Sequence, residues 1–439
     1  MRSEPAVTPV GPSLILAHQL LLLHVLLVPS LGCDGRANVE HRTFPEGGML
    51  ADAVPVPQVS LPALRGIFTT DGELRRFGDL VSVHSTASGV SLFGDEDARY
   101  ALLDAGCLED GSRLVLEGEH RVAVDVDTGL LRFEVEPPSL AAALCRGDAD
   151  ASDPGLHPGA RLSGVYGEGD DLPDLPAGAS FTGPLVPIDD FTVASHRGGC
   201  RTIDDCGVSE NSIEAVVSAE RFGATSVEID VRFTRDGVPV LYHDAKLSSR
   251  LTRGRYCVGE IANLDLAHLQ ANCRLRFGEA MPTLEEALDA ALGQTNLRAV
   301  WLDVKSDQDV PTLVEITRRI NARAEALGRS FRVFIGCPSQ AVYDAFVALG
   351  PPDVPCLVEL SLDDVIAAGC EIWGPRYTLG PMAEEVARAR AAGIRTVFWT
   401  VNGQEFIDLL LTDSDPAGLL TDRPHLVFHR DQMLRGGYE

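Results

Sequence analysis

Positive charge is scarce in this 439-residue chain: 37 Lys and Arg stand against 64 Asp and Glu, a formal net charge of −27. Binding to nucleic acid needs a basic footprint, so this balance excludes it as a partner, and it disfavours electrostatic attachment to anionic lipid. An anionic substrate would need local positive charge, from a metal or from well-placed Arg and Lys. No two of the ten cysteines are separated by two residues, which argues against a zinc ribbon. Aromatic residues amount to only 6%, leaving Ala, Gly, Leu and Val to carry most of the apolar content. Core-forming material is not lacking. A hydrophobic share of 45% against 23% charged is ordinary for a globular protein, and the length suits one large domain or two moderate ones.

Long apolar runs are missing except near the start, where Leu14 to Pro29 is broken only by His18, Gln19 and His24. That run is too short for a spanning helix and reads as an export signal over residues 1–32. Ser30-Leu31-Gly32-Cys33 resembles a bacterial lipoprotein processing box, in which Cys33 would become the lipidated first residue and a membrane tether. Plain secretion is the alternative. Ten cysteines fit an oxidising compartment. The close pairs Cys200/Cys206 and Cys257/Cys273 read as local staples, and Cys107/Cys145 could close part of the N-terminal region.

Residues 33–60 are polar and rich in Pro and Gly, as expected of a tether. Residues 61–165 alternate in short runs, such as Arg113–Glu117, Arg121–Val126 and Leu131–Val135, the last two joined through a turn at Asp127-Thr128-Gly129. They predict a small β-rich domain, such as a sandwich, whose partner the sequence leaves open. Residues 166–188 read as a linker. From 189 to 435 strand-like and helix-like runs alternate, the signature of a TIM (β/α)8 barrel. The predicted strands are Val193–Gly198, Val227–Phe233, Pro239–His243, Ala299–Lys305, Arg332–Ile335, Val397–Asn402 and Gly418–Thr421, with Pro355–Leu360 and Glu371–Pro375 competing for one further place.

Polar residues cluster at the C-terminal ends of these strands, where barrel chemistry sits. His196-Arg197-Gly198 closes the first. Glu228 and Asp230 share one face of the second, since strand side chains alternate. His243-Asp244 ends the third, and Asp303 and Lys305 share a face of the fourth. Three carboxylates converging on one mouth would repel each other without a cation, and a hard ion such as Ca²⁺ or Mg²⁺ suits oxygen ligands. Arg197 and Lys305 would complete a positive pocket for a phosphate ester, and two histidines suit general acid and base. The bland alternatives are an Asp303–Lys305 ion pair, a solvated strand edge for Glu228 and Asp230, and a core role for Trp399. His268 and His425 read as structural, Asn211 as a helix cap, Asp244 as a support for His243 or a turn, and Asp422-Arg423-Pro424 as closing the last loop.

The barrel region resembles the glycerophosphodiester phosphodiesterases. The resemblance covers about 191–424 and rests on His196-Arg197-Gly198, Glu210-Asn211-Ser212, Glu228-Ile229-Asp230-Val231, the Thr234–Val240 run, His243-Asp244, Pro282–Glu286, Asp303-Val304-Lys305, Trp399-Thr400-Val401-Asn402 and Thr421–Pro424, in the family's order. It implies cleavage of a small-molecule glycerophosphodiester to glycerol 3-phosphate and an alcohol, through attack by a neighbouring glycerol hydroxyl. By the same resemblance His196 and His243 are the acid/base pair, and Glu228, Asp230 and Asp303 the metal ligands. Arg197 and Lys305 are phosphate contacts, and Trp399 lies beside the alcohol. Three departures stand out: Asp303 where many members carry Glu, Ser212 for the usual Thr, and a long Gly199–Ser209 stretch bearing Cys200 and Cys206. A lipid phosphodiesterase on the same barrel and a non-catalytic surface lipoprotein are the rival readings.

Overall fold

The computed structural model describes residue 39 and residues 41–108, 111–123, 127–148, 159–199, 207–350 and 353–438. The export segment, Cys33 and the Cys200/Cys206 pair lie outside the described residues.

Two closed barrels follow each other along the chain. The first is an eight-stranded antiparallel meander of Gly66–Gly72, Leu80–Thr86, Gly89–Phe93, Arg99–Leu108, Arg113–Val122, Thr128–Glu136, Arg161–Glu168 and Leu175–Gly183. Each strand pairs with the next, and Gly66–Gly72 pairs back with Leu175–Gly183 to close the ring. Closure leaves no free edge, which a two-sheet sandwich would keep. The expected hairpin is present, with Arg121 opposite Thr128. Arg113–Glu117 and Arg121–Val122, read as separate runs, belong to one strand.

The expected linker at 166–188 is largely strand. Its Gly, Ala and Ser content serves close packing rather than flexibility. A Cβ on Gly167 would fall 2.7 Å from the Asp171 carbonyl oxygen, so glycine is needed there. The connection between the barrels is reduced to residues 184–191.

The second barrel has eight parallel strands: Thr192–Ser195, Ser226–Phe233, Ala299–Val304, Arg332–Cys337, Cys356–Val358, Ile372–Trp373, Arg395–Phe398 and Gly418–Thr421. The first pairs with both the second and the eighth, closing the ring. Both competing segments near 356 and 372 are therefore strands. The eight-strand total holds because Pro239–Leu241 is not one of them. It runs antiparallel to Ser226–Phe233 as the return arm of a hairpin. The Asp236-Gly237 turn between those runs has room for a hairpin but not for a crossover helix.

Helices coat the strands, among them Leu284–Gln294, Val310–Ala326 and Ala383–Ala391. Thr283 and Glu286 form a reciprocal capping box on the first of these. Residues facing the barrel axis, including Ala194, Trp301, Phe334, Ile372 and Val397, form an apolar floor below the mouth. Among the described residues, three disulfides join Cys107 to Cys145, Cys257 to Cys273 and Cys356 to Cys370. Chain spacing suggested the first two. The third closes a separation of 14 residues, a constraint on the unfolded chain worth roughly 3 kcal/mol.

Strand alternation also joins the two barrels. Val81, Val83, Val90, Leu92, Ala101 and Leu103 point into the small barrel, while Phe93 and Tyr100 point outward into the core of the large one. The outward row covers the last helix, Pro424–Gly436. Ser82 hydrogen-bonds His429 at 2.9 Å, His425 donates to the Ala98 carbonyl at 3.0 Å, and Tyr100 lies against the His425 ring. His425 is structural, as expected from its sequence context.

Candidate active site

Residues from all eight barrel strands or the turns after them converge on a cavity of about 390 Å³. Its lining includes His196, Arg197, Glu228, His243, Asp303, Lys305, Glu359, Arg376 and Trp399. Asp230 lies fully buried at its base. All eight residues singled out from the sequence are thus brought to one place.

The carboxylates meet through register. Asp230 is paired directly with Asp303 across adjacent strands, and Glu228 lies two residues before Asp230 on the same face. One oxygen from each of Glu228, Asp230 and Asp303 falls within 4.8 Å of the others. Glu228 Oε1 and Asp303 Oδ1 are buried without a hydrogen-bond partner among the described residues. Buried carboxylate oxygens are seldom left so. An all-oxygen, three-carboxylate set with orphaned atoms fits a hard divalent cation.

Two cations hold the cluster together. Lys305 Nζ sits 2.8 Å from Asp230 and 2.5 Å from Asp303. Arg197 reaches Glu210 at 2.7 Å and Asp230 at 3.3 Å, while its backbone N–H donates to Glu228 at 2.8 Å. The Asp303–Lys305 ion pair is therefore present, shared with Asp230 rather than standing alone. Burial and then repulsion from Asp230 and Asp303 push the Glu228 carboxyl well above its ordinary range. Burial would raise Asp230 too, but Lys305 and Arg197 outweigh it and hold its pKa at about 2. Burial also opposes the charge of Lys305, and Asp230, Asp303 and Glu228 together overcome this and hold its ammonium above the usual range.

Each histidine has a fixed partner. His196 Nδ1 meets Asp422 at 2.7 Å, and Asp422 is itself gripped by the Asn402 amide at 2.6 Å. His243 Nδ1 meets Asp244 at 2.7 Å, and Arg250 pairs with Asp244 at 3.0 Å. In both, Nδ1 is tied back, which leaves Nε2 for chemistry, and that of His196 lies 3.8 Å from Glu228. Burial lowers the His243 pKa, so its ring is neutral and able to accept a proton at pH 7. Asp422→Asn should lower kcat at least about 100-fold with little change in KM, because the ring loses its orientation and charge partner. Unchanged steady-state kinetics would remove Asp422 from the site.

Asn211 differs from expectation. Ser212 caps the helix Ile213–Ser218 by accepting from the Ala215 N–H. Asn211 instead donates to Asp230 at 2.7 Å and accepts from the Asp230 backbone N–H at 2.9 Å, orienting that carboxylate. Asp422, Glu359 and Arg376 have site positions that the sequence reading did not give them. Each lies just after a barrel strand, at a place where a polar side chain faces the mouth.

A (β/α)8 barrel carrying a tricarboxylate cluster, the buried Arg197, the half-buried Lys305 and two anchored histidines at its C-terminal mouth has the layout of a barrel enzyme site. The chain belongs to the glycerophosphoryl diester phosphodiesterase family, whose model matches residues 196–426. It is 37% identical over 130 residues to glycerophosphodiester phosphodiesterase 1 of Mus musculus, a match covering 29% of this chain but only 37% of that relative. It is 29% identical over 244 residues to a probable glycerophosphodiester phosphodiesterase 2 of Mycobacterium tuberculosis, covering 52% of this chain and 86% of the relative. Among solved structures it is similar to an Oleispira antarctica phosphodiesterase in complex with the product sn-glycerol-3-phosphate. That likeness has 23% identity and a TM-score of 0.41, over 53% of this chain and 94% of that one.

Proposed function

We propose that this protein hydrolyses glycerophosphodiesters to glycerol 3-phosphate and an alcohol at the His196/His243 site. The observation that carries the reading is the pairing of two Nδ1-anchored imidazoles with a carboxylate cluster inside one cavity. Glu228, Asp230 and Asp303 would hold a divalent cation, Ca²⁺ or Mg²⁺, which when bound supplies positive charge for the phosphate oxygens. Arg197 is held by Glu210 and Asp230 so that it can face a bound phosphate from one side. Lys305 does so from the other. One imidazole Nε2 accepts the proton of the attacking hydroxyl, and the other gives a proton to the departing alkoxide. Trp399 lies beside the alcohol part of the substrate, its indole N–H fixed on the Gly374 carbonyl at 2.7 Å.

Release of glycerol 3-phosphate from a panel of glycerophosphodiesters, with and without chelator, tests this directly. No release in the presence of Ca²⁺ or Mg²⁺ would refute it. Long-chain products from lysophospholipid with none from water-soluble diesters would favour the lipid phosphodiesterase. Asp230→Asn should abolish turnover and destabilise the fold by roughly 3–5 kcal/mol, because Arg197 and Lys305 lose a shared buried counter-charge. Urea unfolding of the two proteins measures it, and equal midpoints would contradict the shared role.

We also place the protein outside the cytoplasm, secreted or tethered through Cys33. The three disulfides and the apolar run at 14–29 support this.

A further inference from the structure

Three cations line the cavity, Arg197, Lys305 and Arg376, and they are not equivalent. The first two balance the carboxylates at its base. Arg376 is exposed, follows the sixth barrel strand, and carries its guanidinium carbon 4.5 Å above the Trp399 ring. Backbone register builds this stack. Arg376 is bridged to Trp399, the Tyr377 N–H donates to the Trp399 carbonyl at 3.1 Å, and the Trp399 N–H donates to the Pro375 carbonyl at 3.2 Å. With the indole N–H also fixed on Gly374, the ring cannot turn away from the guanidinium.

Two consequences follow from elementary chemistry. The aromatic face that would attract a quaternary ammonium is already covered by a cation, which repels a second one. A guanidinium is also a rigid planar fork of N–H donors, the geometry that receives a carboxylate. Glu359 is the cavity carboxyl that feels Arg376, yet it also lies in the field of Asp303, Lys305 and Asp230. It therefore belongs electrically to the acidic base as much as to the rim.

We propose that Arg376, seated on Trp399, selects the head group, favouring glycerophosphodiesters whose leaving alcohol carries a carboxylate over those carrying a quaternary ammonium. This inference rests on the phosphodiesterase reading above. Its test compares kcat/KM for glycerophosphoserine, glycerophosphoglycerol and glycerophosphocholine in the wild type, R376K, R376Q and R376E. The serine-to-choline ratio should fall at least about tenfold in R376E, through KM. R376Q should lie between, R376K should retain most of the preference, and glycerophosphoglycerol should change little. An unchanged ratio in R376E overturns the proposal, as does an equal loss on all three substrates, which would make Arg376 a phosphate contact. Calorimetric binding of the three diesters to the wild type and R376E reads the same ratio even without turnover. Absence of turnover would sink the phosphodiesterase reading alone.

Discussion

His196→Ala and His243→Ala should each lower kcat by about 100- to 10,000-fold while leaving the fold and cation binding intact. The basis is geometric. Each imidazole is anchored through Nδ1 by a carboxylate that is held in turn, Asp422 by Asn402 and Asp244 by Arg250. Neither ring supplies an atom to the Glu228, Asp230 and Asp303 cluster. Removing a ring therefore takes away a proton carrier and leaves all three cluster carboxylates in the chain, His196 Nε2 lying 3.8 Å from Glu228. Single-turnover kinetics at saturating substrate, alongside calorimetric titration with Ca²⁺, separate the two effects. Near-native kcat in either variant would overturn the acid/base roles, and loss of cation binding would show that the ring acts structurally.

Acidification to pH 5 should cost the folded protein roughly 6 kcal/mol, a loss comparable to the whole stability of a typical domain. Three fully buried histidines cause it. Burial pushes His425 and His429 down to about 3 and His120 down to about 4. Backbone carbonyls receive the N–H of His425 and His120, Ala98 for the first and Gly167 for the second. In the unfolded chain each ring titrates near 6.5. The sign follows from proton counting, because below 6.5 the unfolded state binds protons that the folded state refuses. Their stabilising contribution is complete above pH 6.5 and is lost progressively as pH falls from there toward 3. At pH 5 the gap is about 1.5 pH units per histidine, or about 2 kcal/mol each. His84 is also depressed, to about 3 by burial, but it borders a groove between the barrels and is left out of the sum. Urea midpoints at pH 7.5 and pH 5 measure the difference, and equal midpoints would mean that these rings take up protons in place.

The large barrel was legible in the sequence because its strands are short apolar runs ending in charge. Val227, Ile229 and Val231 alternate with Glu228 and Asp230, and that pattern alone sets which side meets the cavity. The strand at Pro239 misled for a physical reason, since periodicity reports burial and not direction, and an antiparallel return looks like a parallel neighbour. The small barrel's last strands were hidden by their glycines, which composition reads as flexibility. Single polar residues after strands were harder still. Asp422 and Asn402 stood in recognisable blocks, but their contact with His196 joins positions far apart in the chain. Arg376 could have been found by asking which charged residue follows each short apolar run.

The last helix carries a lesson for reading other chains of this family. In a bare (β/α)8 barrel its outer side meets water and should be charged. Here that side presents His425, Phe428 and His429, all buried against the N-terminal barrel. A sequence with lysines or glutamates at those places has an uncovered barrel. One with the aromatic and imidazole pattern must bring a covering domain of its own, so the final thirty residues of such a chain can announce what lies at its beginning.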